Sequence, residues 1–254
     1  MDGILVVDKP GGMTSHDVVL LVRRKFQEKK VGHTGILDPM ATGVLILVLG
    51  KETKRANILI DQDKEYQGIL RLGMETSTQD REGKVLSTRD PSGLKPDRVI
   101  EVLHSFKGEI EQIPPMVSSR RYQGQRLYEL ARKGIEVERL PKSVWIHDLK
   151  IDWIHLPFVS FRLTCSKGTY VRTLCHDVGN RLEVGGHLYA LQRLKSGPFT
   201  MEQTVGWNEL NQMSREDVRA RLLNFDSMRK QGILSLGKRD IEENDFLDEP
   251  SWLR

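Results

Sequence analysis

The chain has 254 residues, of which 38% are hydrophobic, enough to build a core that folds without disulfide staples. Its 39 Lys and Arg against 35 Asp and Glu give a formal charge of +4, so the clustering of charge says more than its total. Cys165 and Cys175 are the only cysteines and form no CxxC pair, so neither a disulfide framework nor a zinc site is indicated, and no apolar run approaches the roughly 18 residues of a membrane span.

Gly3 to Lys9 reads as a short strand ended by the turn residues Pro10-Gly11-Gly12. A helix follows, capped by Thr14 or Ser15, with Val18, Val19, Leu21, Val22 and Phe26 as its apolar stripe. The stretch GHTGILDPMATGVL, residues 32–45, is expected to be a loop running into a strand buried on both faces, 43–49. A helix is expected over 51–60, an alternating strand over 66–72, a polar loop over 74–83, and a helix from Pro96 to Phe106. Pro114-Pro115 breaks the chain before a short helix, 128–133. Strands are expected at 135–137, 143–155 and 158–165, then a helix over 172–182 and a strand over 188–194. Beyond Phe199 the chain turns polar and helical, and from Asp240 it is acidic. Strands mixed with helices at uneven spacing point to an α+β domain with a mixed sheet rather than regular βαβ winding.

Read residue by residue, the chemistry is sparse. Asp-Pro in a Gly-rich stretch is first of all a turn maker, because Asp bonds its own backbone and Gly accepts positive φ. Gly11-Gly12 carries neither GxGxxG nor GxxxxGK[ST] spacing, and Ser15-His16-Asp17 are neighbours on one helix, which no triad can use. HExxH and EF-hand patterns are absent, which disfavours metal chemistry. Basic clusters recur, among them Arg23-Arg24-Lys25, Lys29-Lys30, Lys51 with Lys54-Arg55, Arg120-Arg121 with Arg126, Arg132-Lys133, and Arg193 with Lys195. Each alone is a solvated face; together they suit a polyanion, since separated cations can track a phosphate backbone.

Several motifs in order sharpen this. Residues 32–45 resemble the catalytic loop of bacterial tRNA pseudouridine-55 synthases of the TruB family. So do the opening strand and turn, 5–15, and Lys64-Glu65-Tyr66 with Arg71-Leu72-Gly73, Thr76 and Asp80. Pro114 to Ser118, Tyr128 to Arg132, Ser166 to Arg172 and His187 to Leu194 complete the set, over roughly residues 3 to 200.

The resemblance implies a pseudouridine synthase fold, with a mixed, largely antiparallel central sheet flanked by helices. It also implies a catalytic domain over 1–200 and a C-terminal region over 201–254 shorter than a complete PUA domain. The implied reaction isomerises uridine 55 of the tRNA T loop after base flipping, with no cofactor and no metal. Asp38 matches the carboxylate that works at the sugar, as nucleophile at C1′ or as base at C2′. Arg172 matches the arginine that pairs with it, and Tyr66 the tyrosine that stacks on the base. Tyr170 and Leu191 resemble pocket walls, and His33 the residue that fills the space left by the extruded uridine. For Tyr66 and Leu191, core packing is the competing reading of the residues alone. The implied partner is the T arm of tRNA, bound by a cytoplasmic monomer with no obligatory protein partner. A tRNA-binding or tRNA-folding module without catalysis, and a synthase acting on another RNA, are the alternatives.

Overall fold

In the computed structural model, which describes residues 1–234, the chain gathers into two compact units. Met1–Lys64 and the chain from Gln192 onward make the first, Glu65–Leu191 the second. The acidic end from Asp240 lies outside the described residues.

In chain order the first segment is β1 (Gly3–Lys9), α1 (Ser15–Phe26), β2 (Val31–His33) and β3 (Thr42–Leu49). A 3-10 turn over Gly50–Arg55 leads into α2 (Ala56–Ile60). The second unit contains β4 (Lys64–Leu72), which begins at the boundary, then β5 (Met74–Thr76), β6 (Val85–Thr88), α3 (Pro96–His104) and β7 (Gly108–Gln112). It continues with β8 (Arg121–Tyr122), β9 (Gln125–Arg126), α4 (Leu127–Arg132), β10 (Lys142–His155), β11 (Phe158–Cys165) and α5 (Val171–Arg181). β12 (Gly186–Ser196) contributes residues to both units, and β13 (Phe199–Thr200), α6 (Trp207–Gln212), α7 (Arg215–Arg221) and α8 (Phe225–Lys230) belong to the first.

In the first unit β1 and β3 run antiparallel, from Gly3 opposite Leu49 to Lys9 opposite Gly43. β3 also pairs in parallel with β12, at Thr42 with Gln192 and Gly43 with Arg193, so the sheet is mixed. That approach requires glycine: a Cβ on Gly43, whose φ is +99°, would lie 2.3 Å from the Arg193 carbonyl oxygen. Ile4, Val6, Val44, Ile46, Val48, Phe199 and Phe225 form its core, and Ile4 and Leu223 exchange backbone hydrogen bonds of 2.9 Å. In the second unit β4, β11, β10 and β7 lie side by side, with β10 antiparallel to both neighbours. Its helices α3 and α5 bury Val99, Val102 and Leu103, and Leu174 and Val178.

The capping of α1 falls to Thr14. Its hydroxyl accepts from the Asp17 N–H at 3.1 Å while the Asp17 carboxylate accepts from the Thr14 N–H at 2.8 Å. Three expectations are corrected. Only the second half of the helix expected over 51–60 is α-helical: the Thr53 hydroxyl donates to the Gly50 carbonyl at 2.7 Å, a local bond that competes with helix propagation. Residues 135–137 form no strand, because the Ile135 N–H donates to the Leu130 carbonyl at 3.0 Å to close α4, and Ile135 is exposed. The polar loop expected over 74–83 begins as β5, paired to β6 from Met74 opposite Thr88.

Candidate active-site residues

The first unit carries the loop between β2 and β3, and its backbone is tied down almost residue by residue. The Leu37 N–H donates to Ser15 Oγ at 2.8 Å, and Ser15 Oγ donates back to the Leu37 carbonyl at 3.3 Å. The Pro39 carbonyl accepts from the Gly12 N–H at 2.8 Å and from Lys9 Nζ at 3.2 Å. Lys9 is wholly buried, and its ammonium also donates to the carbonyls of Pro10 at 2.8 Å and Met13 at 2.6 Å. From β12, Arg193 sends Nε to the Val44 carbonyl at 2.7 Å, Nη2 to Gly35 at 3.2 Å and Nη1 to Ile36 at 3.4 Å. Asp38 is thus held on both sides by bonded residues while remaining partly exposed. These bonds fix the backbone that carries the Asp38 carboxylate and so narrow the positions it can reach.

His33 lies at the end of β2, opposite Leu47, rather than within the loop, and it is partly buried. Five positions separate it from Asp38 in the same segment.

The second unit gathers the other expected residues except for those two. Tyr66 is on β4 and only 8% exposed; Leu191, on β12, is equally buried. Tyr170 precedes α5 and is fixed through its backbone: its N–H donates to Gln112 Oε1 at 2.9 Å, and Gln112 Nε2 donates to its carbonyl at 3.2 Å. Arg172, the second residue of α5, is 4% exposed. It donates from Nη1 to the Thr78 carbonyl and from Nη2 to the Val117 carbonyl, both at 2.9 Å, and its Nη1 lies 3.6 Å from Asp80 Oδ2. Asp80 is itself organised, accepting from Thr78 Oγ1 at 2.5 Å and from the Glu82 N–H at 3.0 Å. Such a buried pair is a fixed unit, since removing either partner strands a charge in a dry site.

Three residues were not singled out for these roles by sequence reasoning. Arg193 was grouped with the surface cations, yet it is 2% exposed and makes no ion pair among the described residues. Lys9 and Asp80 stood inside recognised motifs without a part assigned to them. Their common signal is charge within an otherwise apolar or turn-like segment, which only burial turns into a clamp. Among the described residues, no group of three or more His, Cys, Asp or Glu is placed to hold a metal ion, and no helix is long and apolar enough to cross a membrane.

Comparison with known proteins adds a family to this geometry. The N-terminal domain model of the TruB family pseudouridylate synthases matches residues 23–171, and the tRNA pseudouridylate synthase B C-terminal domain model matches 172–228. The chain belongs to the TruB family. Tyr66 and Asp38 fall within the first match, Arg172 and Leu191 within the second. Among TruB relatives, the tRNA pseudouridine synthase B of Clostridium tetani is 47% identical over 212 residues, 84% of this chain and 73% of that protein. The Clostridium kluyveri protein of the same name is 51% identical over 211 residues, 83% and 73% of the two chains. Of solved structures, a Cbf5–Nop10–Gar1 complex contains a chain 31% identical to this one, with a TM-score of 0.65 over 82% of this chain and 53% of that one. An H/ACA ribonucleoprotein bound to a substrate RNA containing 2′-deoxyuridine gives 27% identity and a TM-score of 0.60, covering 84% and 56%. The chain therefore spans little more than half the length of those solved chains, and the α+β pseudouridine synthase fold is shared with them.

Proposed function

We propose that this protein isomerises uridine 55 in the T loop of tRNA to pseudouridine, using Asp38 and no cofactor. What carries the reading is that a TruB-family chain holds the single carboxylate of its residue 32–45 loop on a backbone bonded at Gly35, Ile36, Leu37 and Pro39. Relatives 47–51% identical are named tRNA pseudouridine synthase B.

In this reading the base leaves C1′ at N1, turns, and rejoins the ribose through C5, after which the C5 proton is lost and N1 is reprotonated. Asp38 either attacks C1′ or takes the C2′ proton, and Arg172 pairs with the carboxylate to keep it ionised and aimed. Tyr66 stacks on the base, Tyr170 and Leu191 wall the pocket, and His33 occupies the space vacated in the RNA. Extrusion costs a few kcal/mol, and stacking on an aromatic returns about 1–3 kcal/mol per base, so Tyr66 and His33 offset most of that cost. The T arm is recognised by shape and unstacked bases, as folded RNA hairpins are. The chemistry is assigned to a catalytic domain over residues 1–200, acting as a monomer in the cytoplasm.

A second reading, a synthase working on another RNA inside a protein–RNA assembly, draws on the H/ACA relatives. Identity of 47–51% to the tRNA enzymes against 27–31% to those chains favours tRNA. The test is incubation of the pure protein and of its Asp38→Asn variant with an unmodified tRNA transcript, followed by mapping of pseudouridine. Product at position 55 with the wild type alone is expected, with tRNA affinity of the variant unchanged within a small factor. Turnover by Asp38→Asn would remove the carboxylate from the mechanism, and product only at other positions would replace the substrate.

A further inference from the structure

Within the second unit, four side chains from four separate segments form one row. The Arg71 guanidinium of β4 lies 5.8 Å from the centre of the Phe158 ring of β11. Phe158 meets Tyr189 of β12 edge to face, with ring centres 5.0 Å apart and planes at 61°. Arg81, in the turn between β5 and β6, closes the row with its guanidinium 5.8 Å from the Tyr189 ring. Arg81 is exposed and the other three are partly so.

The row is set apart by joining two arginines to two touching rings; its arginines resemble Arg132, which lies over the single ring of Tyr128 at 5.4 Å, and differ from Arg55 and Arg181 in what they bond. Arg55 also lies over a ring, Phe225, but spends its guanidinium on Glu52 and Asp226. Arg181, over Phe106, donates to Ser105 Oγ at 2.7 Å. Among the described residues, neither Arg71 nor Arg81 makes a side-chain hydrogen bond or an ion pair. Stacking on a ring uses the face of the guanidinium and leaves the N–H donors in its plane available to an anion. Two such cations flanking two aromatic rings match a ligand that alternates flat bases with phosphates.

The row also begins where the Arg172–Asp80 pair ends. Arg81 follows Asp80 directly, and its N–H donates to the carbonyl of Leu188, the neighbour of Tyr189, at 3.0 Å. Resting on the tRNA reading above, we infer that Arg71, Phe158, Tyr189 and Arg81 bind unpaired nucleotides next to the target uridine. A base lies against Tyr189, and the phosphates on either side take the two guanidiniums.

The test is filter binding of unmodified tRNA transcript by the full chain across a potassium chloride series, with pseudouridine formation followed in parallel. Arg71→Gln with Arg81→Gln should flatten the log–log salt dependence by about 1.4, at roughly 0.7 per phosphate contact to single-stranded RNA. Tyr189→Leu should weaken binding roughly tenfold, and Tyr189→Phe should restore it. Should Tyr189→Leu fail to fold, the arginine pair still decides, because neither guanidinium holds another part of the described chain together. Unchanged slope and affinity in variants of a protein that binds and modifies tRNA would overturn the row alone. A wild type that neither binds nor modifies the transcript would overturn the tRNA reading and the row with it.

Discussion

Arg172 occupies the first turn of α5, where a cation meets the positive end of the helix dipole. Two backbone carbonyls and Asp80 compensate for that, which is why the guanidinium can be buried there at all. A second buried group nearby behaves differently. His187 is 2% exposed, and burial pushes its pKa below the ordinary histidine value, opposed by its Nδ1–H bond to the Met74 carbonyl at 2.9 Å. The folded protein therefore protonates it at a lower pH than the unfolded chain, which takes its proton as pH falls through about 6.5. Stability contributed by neutral His187 is full above that value and declines below it, by at most about 1.4 kcal/mol per pH unit. Urea unfolding of wild type and His187→Gln between pH 5 and 7.5 should show a shallower acid decline in the variant; identical slopes would mean that His187 titrates alike in both states. Asp38, Tyr66 and Arg172 could be proposed from the sequence because each sits in an ordered set of motifs. The parts played by Asp80 and Arg193 could not, since a sequence shows which residues are charged but not which are buried.

The loop between β2 and β3 is the element on which the proposed chemistry depends, and Arg193 is its largest brace. Among the described residues this internal guanidinium has no carboxylate partner and is stabilised by the carbonyl dipoles of Gly35, Ile36 and Val44. Replacing it with Met keeps an unbranched apolar stem and removes all three donors. Leaving a buried carbonyl unsatisfied costs about 1–3 kcal/mol; Val44 is wholly buried while Gly35 and Ile36 can turn to water, so Arg193→Met should lose roughly 1–3 kcal/mol of stability. Because the loosened backbone precedes Asp38, single-turnover conversion of tRNA should fall more than tRNA affinity. Urea denaturation paired with single-turnover kinetics checks both, and a variant of wild-type stability would show that the bonds to Arg193 add nothing. The elements that sequence periodicity misjudged share a cause with this loop. Thr53 and Ile135 spend a single hydroxyl and a single N–H on local carbonyls, and one such bond decides between helix, strand and turn where propensities are balanced.

Across the whole molecule, the α+β class followed from alternating apolar runs, but the pairing of β3 with β12 and of Ile4 with Leu223 joins residues too far apart in sequence for any local pattern to encode. Charge shows the same contrast between local and global. A net charge of +4 over 254 residues would give little attraction to RNA if it were spread evenly. Instead Arg24, Lys25, Lys29 and Lys30 are exposed around the end of α1, Lys51 and Lys54 along the 3-10 turn, and Arg120, Arg121, Arg132 and Lys133 on the second unit. Arg193 leaves this set because it is internal, so the count of available cations is smaller than the sequence suggests. If about five of those that remain each neutralise a phosphate, the log–log dependence of tRNA affinity on salt should have a slope of roughly −3.5 to −4.5. Equilibrium binding of unmodified tRNA from low to moderate potassium chloride measures it directly. Substituting Lys29 and Lys30 by Gln should reduce the slope without touching the rate at saturating tRNA, since neither lysine borders the loop of Asp38. A slope flatter than about −1 would mean that the exposed clusters are a solvated surface and that stacking and shape, rather than counterion release, hold the RNA.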